Sequence, residues 1–170
     1  LKGCDYIINC AKKLNIQFSS DFGIDFYGEI ASNYSDFMTK VDALPNVNYK
    51  GFIDLRKSEN YNILAQYDVM LFPTYWPGEG FPGIIIDAFI AGLPVIASDW
   101  HLNKDIISNG ETGFLVRAND EKDLYRMMSK CIENPAIARS MSENCQREAK
   151  KYDTNAVVTY RLFKDINLFN

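Results

Sequence analysis

Apolar positions along the chain follow two different periods, and the switches between them predict alternating helices and strands. Ile7, Ile8, Ala11 and Leu14 recur at three- and four-residue spacing, which places them on one face of a helix over residues 4–14. Residues 24–28 read as a strand ending at Gly28. Residues 33–44 read as a helix with Tyr34, Phe37, Met38, Val41 and Leu44 on its apolar face. Pro45 stops that helix, because a proline disfavours helical backbone in the residue before it. A strand over 47–51 and a helix over 58–66, with Ile63 and Leu64 inward, come next. The apolar run at 68–73 lacks strict alternation, as in a strand covered on both faces. A helix is predicted over 83–91, a buried strand over 94–97 and a helical turn over 105–108. The turn at 109–113 leads into a strand over 114–116, and helices follow over 120–132, 136–150 and 154–167.

Strands separated by helices build βα units and a mostly parallel sheet. The predicted fold is α/β, a Rossmann-like three-layer sandwich, and 170 residues suit one domain. One feature departs from that scheme. The chain opens in a helix, whereas a doubly wound sheet opens in a strand that lies centrally in the order 3-2-1-4-5-6. Without that first strand, two neighbouring strands are left with unpaired N–H and C=O groups.

Composition narrows the function. A net charge of −4 with no basic patch argues against a nucleic-acid partner. Cys4, Cys10, Cys131 and Cys145 form no Cys-x-x-Cys pair and have no histidine nearby, so no metal site is expected and free thiols in a reducing compartment are. No apolar run approaches the roughly 18 residues of a membrane span, and no signal-peptide pattern is visible.

The chemistry concentrates at Glu79-Gly80-Phe81-Pro82-Gly83-Ile84, where a loop enters a helix, with Asp87 eight residues beyond Glu79. The first N–H groups of a helix have no helical partner and its dipole favours anions there, so this start suits a diphosphate. Pro82 loses nothing at a helix start. Gly80 and Gly83 let a ligand approach the backbone, while Phe81 is expected in the core. Glu79 can accept hydrogen bonds from sugar hydroxyls; the alternative is an ordinary solvated acid. Asp87, set in an apolar helix, needs a partner: a ribose diol, or a loop amide. Lys2, before Gly3, can reach phosphate oxygens as a mobile charge. His101 has no partner spacing for a triad or a metal. Tyr75 and Trp76 form an aromatic loop beside Glu79.

These residues, together with Pro73-Thr74, the run Ala91-Gly92-Leu93-Pro94-Val95-Ile96-Ala97 and the run Asn109-Gly110-Glu111-Thr112-Gly113-Phe114-Leu115-Val116, resemble the carboxy-terminal donor-binding domain of retaining glycosyltransferases of the GT-B fold. The group-4 family, which includes capsular and lipopolysaccharide transferases, is the most similar. The resemblance covers nearly the whole chain and implies transfer of a sugar from a nucleoside diphosphate sugar, UDP or GDP, to a hydroxyl acceptor with retention, without a cofactor. It makes Glu79 the donor-sugar contact and Asp87 the ribose contact, where the family carries glutamate. It makes Lys2 the diphosphate lysine, with a partner arginine upstream of this chain. It also places the base near Phe52. Acceptor groups belong to an amino-terminal domain, toward which 154–167 would cross, so the isolated 170 residues are expected to be inactive. Surface-polysaccharide assembly is implied, with a lipid-linked glycan a candidate acceptor. The implied location is the cytoplasm, with peripheral attachment at the inner face of a bacterial membrane a further possibility.

Three other readings stand beside it. A dinucleotide-dependent oxidoreductase should show Gly-x-Gly-x-x-Gly after its first strand, and that pattern is absent. A GT-B nucleotide-sugar epimerase is closer, and would need its own catalytic acids and histidine. A non-catalytic nucleotide-binding domain is the third.

Overall fold

The computed structural model describes residues 2–19, 21–32 and 34–153. Its elements are α1 (Cys4–Phe18), β1 (Ile24–Phe26), α2 (Phe37–Asp42), β2 (Val47–Tyr49), α3 (Tyr61–Leu64, entered through a 3-10 turn at Ser58–Asn60), β3 (Met70–Phe72) and α4 (Gly83–Ile90). They continue with β4 (Val95–Asp99), α5 (Asn103–Ile106), β5 (Gly113–Arg117), α6 (Glu121–Glu133), α7 (Pro135–Arg139) and α8 (Ser142–Ala149), followed by a 3-10 turn at Lys150–Tyr152. The alternation read from the sequence is present, and every described strand pairing is parallel.

The strands form two groups, β1 with β2 and β3-β4-β5. Ile24 lies opposite Val47 in the first, and Met70 opposite Val95, itself opposite Gly113, in the second. Between the groups lies a cavity of about 490 Å³, lined by Ile24 and Phe26 of β1, Met70 and Phe72 of β3, Ile7 of α1, and Met128 and Cys131 of α6. This is where the first strand of a doubly wound sheet would run, so the spatial order is β2-β1-cavity-β3-β4-β5. The cavity also explains a difference from expectation. Met70, Leu71 and Phe72 are half-buried rather than covered on both faces, because β3 has a neighbour only on its β4 side.

The core centres on β4, whose Val95, Ile96 and Ala97 are fully buried. Helix α1 packs on α6 and α4 on α8, which gives the helical layers of the sandwich. Ile7, Ile8, Ala11 and Leu14 are buried as the periodicity predicts.

Several boundaries differ. The helix expected over 33–44 is α2 alone, and Met38 is exposed rather than on the apolar face. The helix over 58–66 begins as a 3-10 turn, because Lys57 N–H and the Asn60 side chain both bond the Asp54 carbonyl. The helix over 136–150 is split, with the Ser140 hydroxyl bonding back to the Ile137 carbonyl where α7 ends. The stretch at 154–167 lies outside the described residues.

All four cysteines are free thiols in helices. Burial pushes the thiols of Cys10 and Cys145 up to about 12, which leaves them protonated and unreactive near neutral pH. Among the described residues, no helix is long and apolar enough to cross a membrane.

Candidate functional site

The site is assembled where the chain leaves β3. Thr74 is fully buried, and its carbonyl accepts the Ser98 hydroxyl from β4. The loop then turns on itself, with the Trp76 carbonyl accepting from Glu79 N–H at 3.0 Å and from the Trp100 indole at 2.9 Å. These bonds tie the loop to the end of β4 and present Glu79 just before α4.

Lys2 reaches the same point from the start of α1. Gly3 sits at φ 82°, and a Cβ there would fall 2.3 Å from the Pro73 carbonyl oxygen. Only glycine permits this approach, and the approach sets Lys2 over the loop. Lys2 Nζ lies 2.7 Å from Glu79 Oε2 and 4.7 Å from the Trp76 ring centroid. The Thr74 hydroxyl donates to the same Oε2 at 2.8 Å. The Glu79 side chain is 10% exposed against 52% for Lys2, so Glu79 is a held carboxylate and not an ordinary solvated acid.

Helix α4 has no side-chain cap at Pro82. Its amides are less free than the sequence suggests. Gly83 N–H bonds the Phe81 carbonyl at 3.0 Å and Ile85 N–H bonds the Pro82 carbonyl at 2.9 Å, because the loop tightens as it enters the helix. A Cβ placed on Gly80 or Gly83 meets no protein atom within 4 Å, so the space beside both is open. Phe81 is 56% exposed, which corrects its expected place in the core. Its neighbour Pro82 is buried instead, and the Phe81 ring lies 5.8 Å from that of Tyr152. Ile84 is exposed at the helix start.

Asp87 lies one turn into α4 and half-buried. Its partner is neither a loop amide nor another charge but the Tyr61 hydroxyl of α3, which donates to Oδ1 at 2.6 Å. Burial first, and then this bond, push the Tyr61 phenol up to about 12, so it remains a donor at neutral pH. Phe52 is 68% exposed in the loop after β2, which continues through residues 54–60 to Tyr61.

The structure therefore unites Lys2 and Glu79 and leaves Asp87 on the same helix as Gly83 and Ile84. Among the described residues, no hydrogen bond or ring contact joins Phe52 to them. A second cavity, of about 360 Å³, is lined by Lys2, Gly28, Tyr34 and Tyr75 at the start of α1 and the end of β1. This is the carboxyl-end position at which open α/β sheets bind ligands. Lys2 lines both cavities, and Glu79, Asp87 and Phe52 line neither. Tyr75 stacks on Tyr6 at 5.4 Å, and the His101 ring packs edge-on against Trp100. Among the described residues, no cluster of three His, Cys, Asp or Glu could hold a metal. Sequence reasoning missed the hydroxyl of Thr74 and all of Tyr61; neither position carries a local signal, since each acts through a residue distant in the chain or across a loop.

Parallel strands alternating with helices, with the Lys2–Glu79 pair beyond the end of β3, give a domain of the doubly wound α/β class. The family described as glycosyl transferases group 1 matches residues 1–152. The chain belongs to that family. It is 30% identical over 127 residues to an uncharacterised 41.2 kDa protein in the cps region of Klebsiella pneumoniae, covering 75% of this chain and 32% of the relative. It is 27% identical over 101 residues to the N,N'-diacetylbacillosaminyl-diphospho-undecaprenol alpha-1,3-N-acetylgalactosaminyltransferase of Campylobacter jejuni, covering 59% of this chain and 26% of the relative. The chain thus spans about a third or less of the curated relatives it matches. The crystal structure of Anabaena HepE in complex with UDP superposes with a TM-score of 0.78 at 19% identity, over 99% of this chain and 46% of that one, a likeness of fold.

Proposed function

We propose that this chain is the donor-binding domain of a retaining glycosyltransferase, which moves a sugar from a nucleoside diphosphate sugar to a hydroxyl acceptor. The observation that carries the reading is the convergence of Lys2 and buried Thr74 on Glu79 at the start of α4. In this reading Glu79 orients the donor sugar through its second oxygen. Lys2 moves onto the diphosphate and stabilises the charge that develops as the sugar–phosphate bond breaks. No protein carboxylate acts as a nucleophile: the acceptor hydroxyl attacks the face that the diphosphate leaves, and the departing phosphate takes its proton. Asp87 holds the ribose, and Phe52 with Ile84 borders the nucleotide.

UDP is the first donor nucleotide to test, because the matched Anabaena fold was solved with UDP. The Campylobacter relative, named for a diphospho-undecaprenol substrate, supports a lipid-linked glycan as acceptor and surface-polysaccharide assembly as the setting. Such an acceptor would bring the intact protein to the inner face of a membrane.

The test uses the intact protein, with calorimetric titration of UDP, GDP and ADP and a transfer assay on the nucleotide sugar that binds. Glu79→Ala should cut turnover by about two orders of magnitude, the scale of losing a group that acts on transition-state charge. Asp87→Ala should mainly weaken nucleotide binding, by about tenfold. Near-parental turnover in both variants would sink the assignment. So would a failure of all three nucleotides to bind.

A further inference from the structure

We infer that Tyr61 is the positioning residue for Asp87, holding one carboxylate oxygen so that the other faces the ribose of a bound nucleotide. The inference rests on the reading of Asp87 as the ribose contact and adds the residue that makes this contact work.

Asp87 projects from the second turn of α4 on a side chain with a single methylene. A carboxylate on so short a stem reaches little beyond its own helix surface, and its usefulness depends on which way its oxygens point. Tyr61 settles that. Its hydroxyl meets Oδ1 at 2.6 Å, a charge-assisted bond, and it arrives on a rigid ring from α3, which packs on α4. The position of the ring is fixed in turn. Tyr61 begins α3 directly after the 3-10 turn pinned to the Asp54 carbonyl, and its own carbonyl accepts Ala65 N–H at 3.0 Å. Both side chains are half-buried, so the bond is partly shielded from water. Among the described residues, Oδ2 accepts no hydrogen bond, and it is the oxygen available to a ligand hydroxyl. Tyr61 also follows the loop that carries exposed Phe52, so one segment supplies both the surface assigned to the base and the anchor of the ribose acid.

The experiment measures discrimination between ribose and deoxyribose, which a purely structural tyrosine would not change. The intact protein, Tyr61→Phe, Asp87→Asn and the double variant are titrated with UDP, 2′-deoxyUDP and 3′-deoxyUDP, and with the guanosine set if UDP does not bind. The parent should prefer the ribonucleotide over one of the deoxy forms. Tyr61→Phe should bind the ribonucleotide about tenfold more weakly and bind that deoxy form as the parent does. The double variant should be no worse than Asp87→Asn, since the two residues act as one unit. Unchanged ribonucleotide affinity in Tyr61→Phe, or an equal loss for ribo and deoxy forms, overturns the inference while Asp87 keeps its role. If Asp87→Asn leaves the discrimination intact, or no nucleotide binds the parent, the reading of Asp87 itself has failed and the inference fails with it.

Discussion

Replacing Thr74 with valine removes one hydroxyl and almost no volume, and it isolates what holds Glu79. The Thr74 hydroxyl is fully buried and donates at 2.8 Å to Glu79 Oε2. A hydrogen bond to a charged acceptor contributes about 1.5–3 kcal/mol. The other donor to that oxygen, Lys2, is 52% exposed on a flexible stem, so its ion pair holds geometry weakly. The weak bond from Trp76 N–H to the same hydroxyl, at 3.4 Å, is also lost but adds little. If that energy is expressed in the transition state, turnover falls by about 10- to 100-fold, while the KM for the nucleotide sugar, which the proposed function assigns largely to Asp87 and the diphosphate contacts, changes by less than about threefold. The assay is steady-state transfer by the intact protein, run with a thermal melt of each variant, and Thr74→Ser should recover most of the turnover. Parental turnover in Thr74→Val would refute the orienting role. A lowered melting temperature with unchanged turnover would make the hydroxyl a structural bond only.

Two further expectations concern stability. Gly3→Ala should destabilise by about 2–4 kcal/mol, from positive-φ backbone combined with a Cβ placed 2.3 Å from the Pro73 carbonyl oxygen; urea denaturation that shifts by less than about 0.5 kcal/mol would contradict it. Burial raises the Asp123 carboxyl, but bonds from Arg117 N–H and the Arg126 guanidinium outweigh burial and hold it below the usual range, so its contribution is present above about pH 4 and is lost as pH falls through the folded value. Asp123→Asn should flatten the acid limb of the stability profile below about pH 4 and leave its slope near pH 7 unchanged.

The fold was legible because periodicity reports burial. Ile7, Ile8, Ala11 and Leu14 face inward because a helix has one apolar stripe, and the unbroken run Val95-Ile96-Ala97 is buried because a central parallel strand is covered twice. The topology also called for open space beside β1 and β3, and a cavity lies between them. Phe81 was misread because hydrophobicity alone cannot tell which of two adjacent loop residues turns inward, and Pro82 does. The helix over 136–150 was misread because the Ser140 hydroxyl competes for a carbonyl that a periodic pattern assigns to the helix. Glu79 and Asp87 were visible as a spaced pair, and Lys2 through the lysine–glycine start that the family resemblance singled out. Their anchors were not, since Tyr61 lies 26 residues from Asp87 and is joined to it only by the packing of α3 on α4.

The two acids are held on one plan. Each has a single oxygen fixed by a hydroxyl from another part of the chain, Thr74 for Glu79 and Tyr61 for Asp87. Neither hydroxyl titrates near neutral pH, and Tyr61 is raised to about 12, so both remain hydrogen-bond donors there. Lys2 differs from both. It is the exposed donor, it borders both cavities, and its pairing with Glu79 is the partly solvated kind that contributes about 0–1 kcal/mol. A diphosphate offers that ammonium more negative charge than a single carboxylate does, so binding should draw Lys2 away at little cost. Glu79 stays in place because Thr74, not Lys2, fixes it. On the proposed reading, the arrangement separates a mobile charge, suited to following phosphate as a bond breaks, from two hydroxyl-anchored carboxylates suited to reading hydroxyls. That separation is why the hydroxyl anchors, and not the ion pair, are the positions where small substitutions should be felt most in turnover and in ribose recognition.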